Sequence, residues 1–408
     1  MIAESWDVVV IGAGPSGAFA ARQLALKQKK VLLVDKAAFP REKVCGGCLN
    51  QHAVQILEKA GLEKILTGVP LQEFMLAAFG RQVSWRLPGG QSLSRKTLDA
   101  ALVAEAQEAG VVFLDRTKVE VGGIYGSYRE VVILRPKAEE SQNKILRGVY
   151  TEILRFAQDD DRRSAQDDKQ RILLAKAVLV CDGLAGSALP GHEWKSKVEK
   201  ASRFGVGAIL DPQAADSYAP GCIYMACARG GYAGLVRLED GRINVAAAFD
   251  FPESIAPPDF DAEVSRVFEE AGLPRLKMEN RTAWHGAPAL TRSRKTVAGE
   301  RLLILGDAAG YSEPFTGEGI SWALDSALEA SDMLTEKCES WGKGFESRWQ
   351  NWYDSRIKWR RFVSQQVTRG LRNPLLLRGA MNVLGMLPGL AQPWINLVCE
   401  QRRVPGEI

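Results

Sequence analysis

The chain has 408 residues, of which 46% are hydrophobic and 25% are charged, and its net charge is +4. This composition is typical of a globular protein, and the length suffices for two lobes with sizeable cores. Such a small charge does not by itself indicate a nucleic-acid partner, and no run of about 20 apolar residues predicts a membrane span. The seven cysteines form no regular framework, and we see no secretory leader, so we expect a cytoplasmic protein that binds no nucleic acid.

The N-terminal residues predict a strand, a turn, a helix and a second strand. WDVVVI (6–11) is apolar like a buried strand, GAGPSG (12–17) forms the turn, and VLLVD (31–35) is the second strand. Between the turn and the second strand, alanines and leucines fall on one face of a helix. A GxGxxG turn in this setting predicts a dinucleotide site, although the six residues alone would fit an ordinary tight loop. Up to this point NAD and FAD fit equally well.

Each residue type in this turn has a physical role. Gly12 makes the tight turn, Gly14 admits a pyrophosphate against the backbone, and Gly17 lets helix and strand pack closely. The anion then rests on amides at the helix N-terminus. Asp35, at the end of the second strand, would accept hydrogen bonds from a ribose. The predicted cofactor-binding residues of this segment are Gly12, Gly14, Pro15, Ser16, Gly17, Asp35 and Lys36.

Further along the chain the pattern changes from α/β to β. Residues 119–136 and 171–182 predict strands, and the polar stretch at 139–170 reads as a solvated insertion between them. From about 191 to 287 the pattern predicts the strands of a second sheet. Beyond residue 316 it is helical.

A second glycine-rich turn, GDAAGYSEPFTGEGIS (306–321), follows the apolar strand RLLIL (301–305) and precedes a helix. A reduced isoalloxazine ring carries negative charge at N1–C2=O, and helix N-terminal amides are donors that do not themselves react. Small residues at 316–319 let the ring approach the main chain, and Asp307 would hold a ribityl hydroxyl. An ordinary glycine-rich loop is the alternative. We therefore predict FAD, bound here by Gly306, Asp307, Pro314, Gly317, Gly319 and Ile320.

In this order the motifs resemble those of the geranylgeranyl reductase family of FAD oxidoreductases, which is related to flavin aromatic hydroxylases and flavin halogenases. The resemblance covers most of residues 5–335. FPREKVCGGCL (39–49) is similar to the family's PRxKxCGG segment, SRKTLDAALVAEA (94–106) to its arginine-helix element, and LVCDGLAGS (179–187) to its aspartate–glycine strand end. The resemblance adds these cofactor-binding residues: Arg41, Cys45, Gly46, Gly47, Arg95, Asp182 and Gly183.

Two departures from related motifs bear on the reaction. Aromatic hydroxylases usually carry histidine where Gly310 stands, and the CGG and TGEGI details favour the reductases. Reductases of the family tend to show a YxWxFP-like signature and halogenases a WxWxIP-like one. The corresponding stretch here, GGYAGLVRLEDG (230–241), lacks the tryptophan and the proline, which argues against halogenation and leaves prenyl specificity open.

The fold that the resemblance implies is α/β, with a glutathione-reductase-type, Rossmann-like FAD-binding domain, a β-sheet substrate domain and a helical C-terminus. The expected ranges are 1–68, 94–190 and 288–335 for the FAD-binding domain, 69–93 and 191–287 for the substrate domain, and 336–408 for the helical region.

Cys45 is the candidate catalytic residue, because by resemblance it passes close to the flavin and the substrate cavity. Its thiol could donate a proton or only line the pocket. His52, His192 and His285 fall outside every motif and are expected to be structural, since the flavin carries the difficult step of a hydride transfer. Cys45 and Cys48 form a lone CxxC without the second pair that a zinc site needs, so we expect no metal.

These features predict an FAD-dependent oxidoreductase. The expected reaction reduces a carbon–carbon double bond of a hydrophobic, isoprenoid- or polyketide-like substrate by hydride transfer from reduced flavin. NAD(P)H would bind only transiently as electron donor, since no second GxGxxG is present. One alternative is a monooxygenase that hydroxylates an aromatic or polyketide ring through a C4a-hydroperoxide. Another is a non-catalytic, flavin-bound scaffold.

The C-terminal segment is basic and rich in tryptophan. Residues 341–408 contain eleven Lys/Arg against four Asp/Glu, together with five of the ten tryptophans. Helices of this kind can lie on an anionic membrane surface, which would suit an apolar substrate. They can equally form a lid that packs on the core and turns a basic face outward. The sequence leaves both interpretations open, and it does not indicate the oligomeric state.

Overall fold

The computed structural model describes residues 5–134, 171–251, 258–313, 315, 317–337, 341–342 and 344–400. The insertion predicted at 139–170 and the predicted flavin contact Pro314 lie outside the described residues. Within these ranges the α-helices are α1 (Pro15–Leu26), α2 (Gln51–Lys59), α3 (Arg95–Glu108), α4 (Phe260–Ala271), α5 (Gly319–Lys337), α6 (Phe345–Tyr353), α7 (Trp359–Arg372), α8 (Pro374–Met386) and α9 (Gln392–Glu400).

The described strands, in chain order, are β1 (Ser5–Ile11), β2 (Val31–Val34), β3 (Cys48–Asn50), β4 (Val69–Pro70), β5 (Glu73–Ala78), β6 (Arg81–Arg86), β7 (Gly90–Ser92), β8 (Val112–Leu114), β9 (Lys118–Tyr125), β10 (Tyr128–Leu134), β11 (Arg171–Val180), β12 (Lys197–Val198), β13 (Phe204–Leu210), β14 (Cys222–Ala228), β15 (Gly231–Arg237), β16 (Ile243–Phe249), β17 (His285–Ala287), β18 (Arg292–Ser293), β19 (Ala298–Gly299), β20 (Leu302–Ile304) and β21 (Gly310–Tyr311).

A mixed sheet built around β1 forms one half of the molecule. Its parallel strands have the order β20–β11–β1–β2–β8, while β9, β10 and β19 join by antiparallel pairing. Ile11 pairs with both Val34 and Val180, so the carboxyl ends of three neighbouring strands meet at one edge. β1, β2 and β20 are almost entirely buried, as expected for strands covered on both faces. α1 packs against α3 and α5 beside this sheet.

The second large sheet has the described order β17–β13–β16–β15–β14–β5–β6. Its pairings are antiparallel except for β14 with β5. On one face α4 buries Val264, Val267 and Phe268 against the sheet. On the other face Met225 and Tyr232 belong to a core that includes residues of α8 and α9. The C-terminal helices therefore pack on this face of the sheet.

Two three-stranded sheets connect the halves, in the orders β3–β7–β4 and β12–β18–β21. The second of these brings the turn after β20 next to Arg292 and Ser293. The helix expected after residue 316 begins at Gly319, and the first helix begins at Pro15. Proline suits a first helical position because its missing N–H would have no partner there.

The described part of the C-terminal region contains α6 to α9, with a π-helical turn, Asp354–Lys358, between α6 and α7. Among the described helices none is by itself long and apolar enough to cross a membrane. α8 and the segment Pro388–Asn396 meet the length and composition criteria only as a pair, with a bend of 110° between them.

Candidate functional site

A cavity of about 410 Å³ runs from the glycine turn after β1 to the seven-stranded sheet. Gly14 and Asp35 line one end, Cys45 and Asp307 line the middle, and Tyr232 lines the sheet end. The predicted cofactor-binding residues on its wall are Gly14, Pro15, Ser16, Asp35, Lys36, Arg41, Cys45, Gly46, Arg95, Asp182, Gly183, Asp307, Gly317, Gly319 and Ile320. Gly12, Gly17, Gly47 and Gly306 do not line it and pack behind its wall.

The two glycine-rich turns touch each other. A Cβ added at Gly306, where φ is +57°, would lie 2.8 Å from Oγ of Ser16. Within the first turn, a Cβ at Gly17 would lie 1.8 Å from the carbonyl oxygen of Gly12, and one at Gly12 would lie 2.3 Å from that of Cys181. These glycines therefore allow three backbone segments to meet where the nucleotide turn begins.

Asp35 braces the turn as well as facing the cavity. Its Oδ2 accepts a hydrogen bond from the backbone N–H of Ala13 at 2.8 Å, and its Oδ1 accepts one from Ala37 at 2.8 Å. Nη2 of Arg41 lies 3.6 Å from the same carboxylate. The predicted ribose contact stays a prediction, and the carboxylate also has this second, structural task.

A cluster of cations lies beside Gly14. A Cβ on Gly14 would be 3.5 Å from Nη2 of Arg95 and 3.8 Å from Nη2 of Arg41. Arg95 donates two hydrogen bonds to the fully buried Asp99, at 2.8 and 2.9 Å. Burial opposes the charged form of Arg95, but the charges of Asp99, Cys45 and Asp307 and the hydrogen bonds to Asp99 together outweigh it and raise the pKa of the guanidinium. The charged form of Arg95 is therefore favoured beside the turn.

Lys43 completes this cluster; from the sequence, Arg41 and Lys43 fit a counter-charge for the flavin or the pyrophosphate and a solvated surface pair equally well. It lines the cavity, and a Cβ on Gly183 (φ +74°) would lie 3.0 Å from its Nζ. Loss of solvent and the charge of Arg95 lower the pKa of Lys43, while the charge of Asp307 opposes this shift. The signal for this residue was the PRxKxCGG-like segment, in which Lys43 occupies the lysine position.

The side chain of Asp182 is hydrogen-bonded to the loop that follows it. Its Oδ2 accepts a hydrogen bond from the backbone N–H of Ala188 at 2.9 Å, while its Oδ1 is buried without a partner among the described residues. Burial raises the pKa of this carboxyl. A buried acceptor of this kind at the cavity wall is available to a ligand hydroxyl.

The flavin-type turn provides an acid and a helix N-terminus to the middle of the cavity. Burial raises the pKa of Asp307, and the positive charges of Lys43, Arg95 and Arg361 oppose that shift. α5 begins at Gly319, which lines the cavity, so the unpaired N–H groups of its first turn lie at the cavity wall. Gly317 has φ +69° and nothing within 4 Å of an added Cβ, which leaves open space at the backbone.

Arg361, on α7, fixes this turn from the C-terminal region, and sequence reasoning missed it. Its buried guanidinium donates to the hydroxyl of Tyr353 at 2.6 Å and to the carbonyl of Tyr311 at 2.9 Å, and also to the carbonyl of Arg292. The Tyr353 hydroxyl in turn donates to the carbonyl of Ala309 at 3.1 Å. A Cβ on Gly310 would lie 2.2 Å from Nη1 of Arg361, so this arginine fills the space beside the glycine.

A buried charge network joins the same loop to the seven-stranded sheet. Glu313 accepts hydrogen bonds from Nη1 of Arg203 at 3.1 Å and from Nη2 of Arg372 at 2.9 Å. Arg203 also pairs with Asp250 at 3.0 Å, and its guanidinium lies 5.6 Å from the ring centre of Tyr232. These residues carried no motif signal, because the network joins segments that are far apart in sequence.

The CGGC segment crosses the cavity between its two ends. Cys45 is a free, half-buried thiol on the cavity wall, and its carbonyl accepts a hydrogen bond from Nδ2 of Asn244 on β16 at 2.9 Å. Gly46 has nothing within 4 Å of an added Cβ, whereas Gly47 has φ +69° and packs on Asn244. Burial raises the pKa of the Cys48 thiol, which therefore stays protonated.

Similarity to known proteins agrees with this geometry. The profile of the FAD binding domain family matches residues 5–346, most of the chain. The chain belongs to this family. It is 26% identical to a menaquinone reductase of Mycolicibacterium smegmatis over 356 residues, covering 81% of this chain and 76% of that protein. It is 27% identical to digeranylgeranylglycerophospholipid reductase 1 of Methanococcoides burtonii, covering 87% of this chain and 82% of the relative.

The fold is similar to that of solved flavoproteins. The crystal structure of p-nitrophenol 4-monooxygenase from Pseudomonas putida superposes with a TM-score of 0.73 at 14% identity, covering 98% of this chain and all of that one. The α/β fold with mixed sheets is thus the fold of FAD-binding monooxygenase-like proteins, and the chain is an FAD-dependent oxidoreductase. The resemblance to geranylgeranyl reductases read from the motifs is confirmed by the reductases among its relatives.

The residues of the cavity fit FAD on their own chemistry. At one end Arg41 and Arg95 lie beside Gly14, whose missing side chain leaves the backbone open, as a pyrophosphate requires, and Lys43 lies beside Gly183 on the same cavity wall. Nε of Arg41 and Oδ1 of Asp182 are buried without partners among the described residues, so donor and acceptor positions remain for a ligand. In the middle, open glycine backbone and a helix N-terminus suit a ring that becomes anionic on reduction.

Beyond the position of the flavin-type turn the cavity becomes apolar. Tyr232 and Phe315 meet edge to face with ring centres 5.3 Å apart, and Gly234 and Ala246 leave the sheet surface free of large side chains. Its apolar wall comprises Phe74, Ile223, Met225, Tyr232, Leu235, Phe315, Trp394 and Ile395.

The three histidines lie away from this cavity wall. Nε2 of His52 is 2.9 Å from the carboxylate of Asp325, which ties α2 to α5, while His192 and His285 are exposed. In the part of the chain that the structure describes, no group of three or more His, Cys, Asp or Glu residues is arranged to hold a metal ion.

Proposed function

We propose that this FAD-dependent oxidoreductase reduces a carbon–carbon double bond in a hydrophobic, isoprenoid- or polyketide-like substrate. The observation that carries the proposal is the continuity of one cavity, which is charged beside the glycine turn and apolar at the seven-stranded sheet. A substrate without charge would lose little by leaving water for such a wall. Two relatives named as reductases of a menaquinone and of a digeranylgeranyl lipid support the same substrate class.

FAD, when bound, supplies the hydride chemistry, and the chain supplies position and charge. Arg41, Lys43 and Arg95 would neutralise the pyrophosphate. Asp307 would hold a ribityl hydroxyl, and the amides before Ile320 would face the developing negative charge of the ring. The apolar residues at the sheet end would exclude water from the reacting double bond.

Cys45 is the proposed source of the proton that must follow the hydride. Its thiol is free and lies on the cavity wall between the charged and apolar ends. A positioned proton donor contributes about 10²- to 10⁴-fold to such a step. Cys48, three residues away, also lines the cavity but has its thiol directed to the carbonyl oxygen of Gly46 at 3.4 Å, and it serves as the matched control.

Several finer features belong to the same proposal. We infer a glutathione-reductase-type arrangement for the FAD-binding half, supported by the parallel order β20–β11–β1–β2–β8 with the glycine turn directly after β1. NAD(P)H is the proposed transient electron donor, and the cytoplasm is the proposed compartment. The division into an FAD-binding domain, a substrate domain and a C-terminal helical region, with the boundaries given above, stays a prediction.

The test uses FAD-loaded protein reduced by light under argon and a panel of isoprenoid and polyketide alkenes. We expect one alkene class to reoxidise the protein and to gain two hydrogens, as read by mass spectrometry. Cys45→Ala should slow this reoxidation about 100-fold with unchanged FAD content, and Cys48→Ala should slow it less than about twofold.

Repeating this experiment with oxygen admitted distinguishes the two alternative functions. Uptake of one labelled oxygen atom from ¹⁸O₂ by an aromatic or polyketide substrate would contradict the proposed reduction and indicate a monooxygenase. The fold is compatible with that function, since a p-nitrophenol 4-monooxygenase has a similar one. A protein that binds FAD but responds to no substrate, with or without oxygen, would favour the non-catalytic scaffold.

A further inference from the structure

α8 and the turn after it expose an unusual number of large aliphatic side chains. Leu375 and Met386 are each 79% exposed. Single exposed apolar residues are ordinary on protein surfaces, but a group of them on one helix and the turn after it marks an interaction site. We call this group the apolar face; it consists of Leu375 (79%), Leu376 (61%), Val383 (51%), Met386 (79%), Leu387 (59%) and Leu390 (61%).

The chain around the apolar face is basic and contains no acid. Residues 355–399 include seven Lys/Arg and no Asp or Glu. Of these cations, Lys358 and Arg369 have side chains 67% and 57% exposed and pair at the surface with Asp354 and Glu199, and Arg378 is exposed on α8 itself. An apolar helix face flanked by cations complements an anionic lipid surface, where phosphates meet the cations and acyl chains meet the apolar side chains.

The same helices form part of the cavity. Leu377 and Met381, on the opposite side of α8, are buried in the core against the seven-stranded sheet. On α9, which is joined to α8 by the bent turn, Trp394 and Ile395 line the apolar end of the cavity. The apolar face is therefore continuous, through one helix pair, with the wall that would contact an apolar substrate.

We propose that the apolar face inserts into the surface of an anionic lipid bilayer and brings the α9 wall of the cavity to the lipid, from which an apolar substrate enters. An amphipathic helix that lies in the plane of the interface needs no membrane-spanning length. Each basic residue near an anionic surface strengthens binding about fivefold, and the buried aliphatic side chains supply the remainder.

The experiment measures flotation of the full-length, FAD-loaded protein with vesicles, without substrate or turnover. One set of vesicles is pure phosphatidylcholine, and the other contains equal parts of phosphatidylcholine and phosphatidylglycerol. We expect binding to the anionic set at least about tenfold tighter than to the neutral set, decreasing as salt is added.

Two triple variants separate the apolar and electrostatic parts. Leu375→Ser/Met386→Ser/Leu390→Ser should weaken binding to anionic vesicles by about 100-fold or more, and Lys358→Gln/Arg369→Gln/Arg378→Gln should remove the preference for anionic lipid. The matched control, Leu26→Ser/Tyr125→Ser, alters residues that are 55% and 65% exposed elsewhere and should bind as the unaltered protein does. Flavin absorbance and the melting temperature report whether each variant is folded.

Two results would overturn the inference. One is equal vesicle binding by the apolar triple variant and the control. The other is a protein that does not bind vesicles but forms a dimer, with the apolar triple variant remaining monomeric. A second copy of the chain would then cover the apolar face. A protein that binds vesicles but reduces no alkene would contradict the proposed reaction and leave this inference intact.

Discussion

The two ends of the cavity are built by different means. At the nucleotide end several polar groups are held within one local unit: Asp35 by the amides of Ala13 and Ala37, and Arg95 by Asp99 four residues away on the same helix. At the apolar end Met225 and Ile395 come from a central strand and from the last described helix. The charged end is thus encoded in compact motifs, whereas the apolar end depends on packing between distant segments.

This difference also predicts how each end responds to change. Buried charges and backbone contacts leave little room for adjustment, because an uncompensated charge or a backbone clash cannot relax. Flexible apolar side chains can move by a few tenths of an ångström at small cost. We therefore expect large effects of substitution at the charged end and small ones at the apolar end.

The largest effect is expected at the nucleotide turn. In Gly17→Ala the added Cβ would lie 1.8 Å from the carbonyl oxygen of Gly12, so the turn cannot keep its shape. FAD affinity should fall at least about 100-fold, as measured by flavin retention and fluorescence titration. Gly379→Ala, on α8 with nothing within 4 Å of its Cβ, is the control and should retain FAD. Equal flavin content in the two variants would contradict the expected sensitivity of the charged end.

The next substitution, also at the charged end, distinguishes an effect on FAD affinity from an effect on the stability of the fold. Arg95→Met should lower the free energy of unfolding by about 3 kcal/mol, because the fully buried Asp99 loses two hydrogen bonds and keeps only Arg41, whose Nη2 lies 3.5 Å away, as a counter-charge. Arg95→Met/Asp99→Leu should recover most of this stability in urea denaturation but not the FAD affinity. The exposed pair of Arg266 and Glu270 is the control: Arg266→Met should cost less than about 1 kcal/mol. Full recovery of FAD binding in the double variant would show that Arg95 is only structural.

A third substitution tests whether the C-terminal region supports the charged end. Arg361→Met removes the donors to the Tyr353 hydroxyl and the Tyr311 carbonyl, so we expect a loss of about 3 kcal/mol of stability. With one positive charge fewer near the flavin-type turn, the midpoint potential of the bound flavin should become more negative. The exposed Arg369→Met should change neither quantity. Equal potentials in the two variants would exclude an electrostatic role for Arg361.

A smaller effect, of opposite sign for stability and binding, is expected at Asp307. Burial raises the pKa of this carboxyl above its ordinary value near 3.8, so the folded FAD-free protein loses stability as pH rises from that value through the raised one. Asp307→Asn should remove this loss and be more stable than the unaltered apoprotein at neutral pH but not below pH 3.8. FAD affinity should fall about tenfold through loss of a charged hydrogen-bond acceptor. Urea unfolding at both pH values and FAD titration measure the two effects.

The smallest effect is expected at the apolar end. In Gly234→Ala the added Cβ would lie 3.2 Å from Sδ and Cε of Met225, a side chain that can move, and 3.3 Å from the backbone carbonyl oxygen of Tyr224, which needs to shift by only a few tenths of an ångström. We expect less than about 1 kcal/mol change in stability and unchanged FAD content, read by thermal denaturation and flavin absorbance. A loss of flavin in this variant would show that the two ends are coupled more tightly than their contacts indicate.

The sequence predicted much of the charged end because its signals are local. The glycine spacing at 12–17, the acid at Asp35 and the turn at 306–321 each lie within one strand–turn–helix unit, so their order identified FAD without a structure. For Lys43 the sequence left open a counter-charge role and a solvated surface position, and the structure places its Nζ 3.0 Å from a Cβ on Gly183. Arg361 had no signal at all, because nothing in its own helix marks it as a partner of a turn about 50 residues earlier.

What the sequence by itself determined was the cofactor and the strand–turn–helix units around it, since a nucleotide turn is specified by the conformations open to a few adjacent residues. What only the tertiary structure decided was the wall of the apolar cavity, the network around Glu313 and the exposure of the apolar face on α8. These depend on which distant segments pack together, and burial is a property of the whole fold rather than of any one segment.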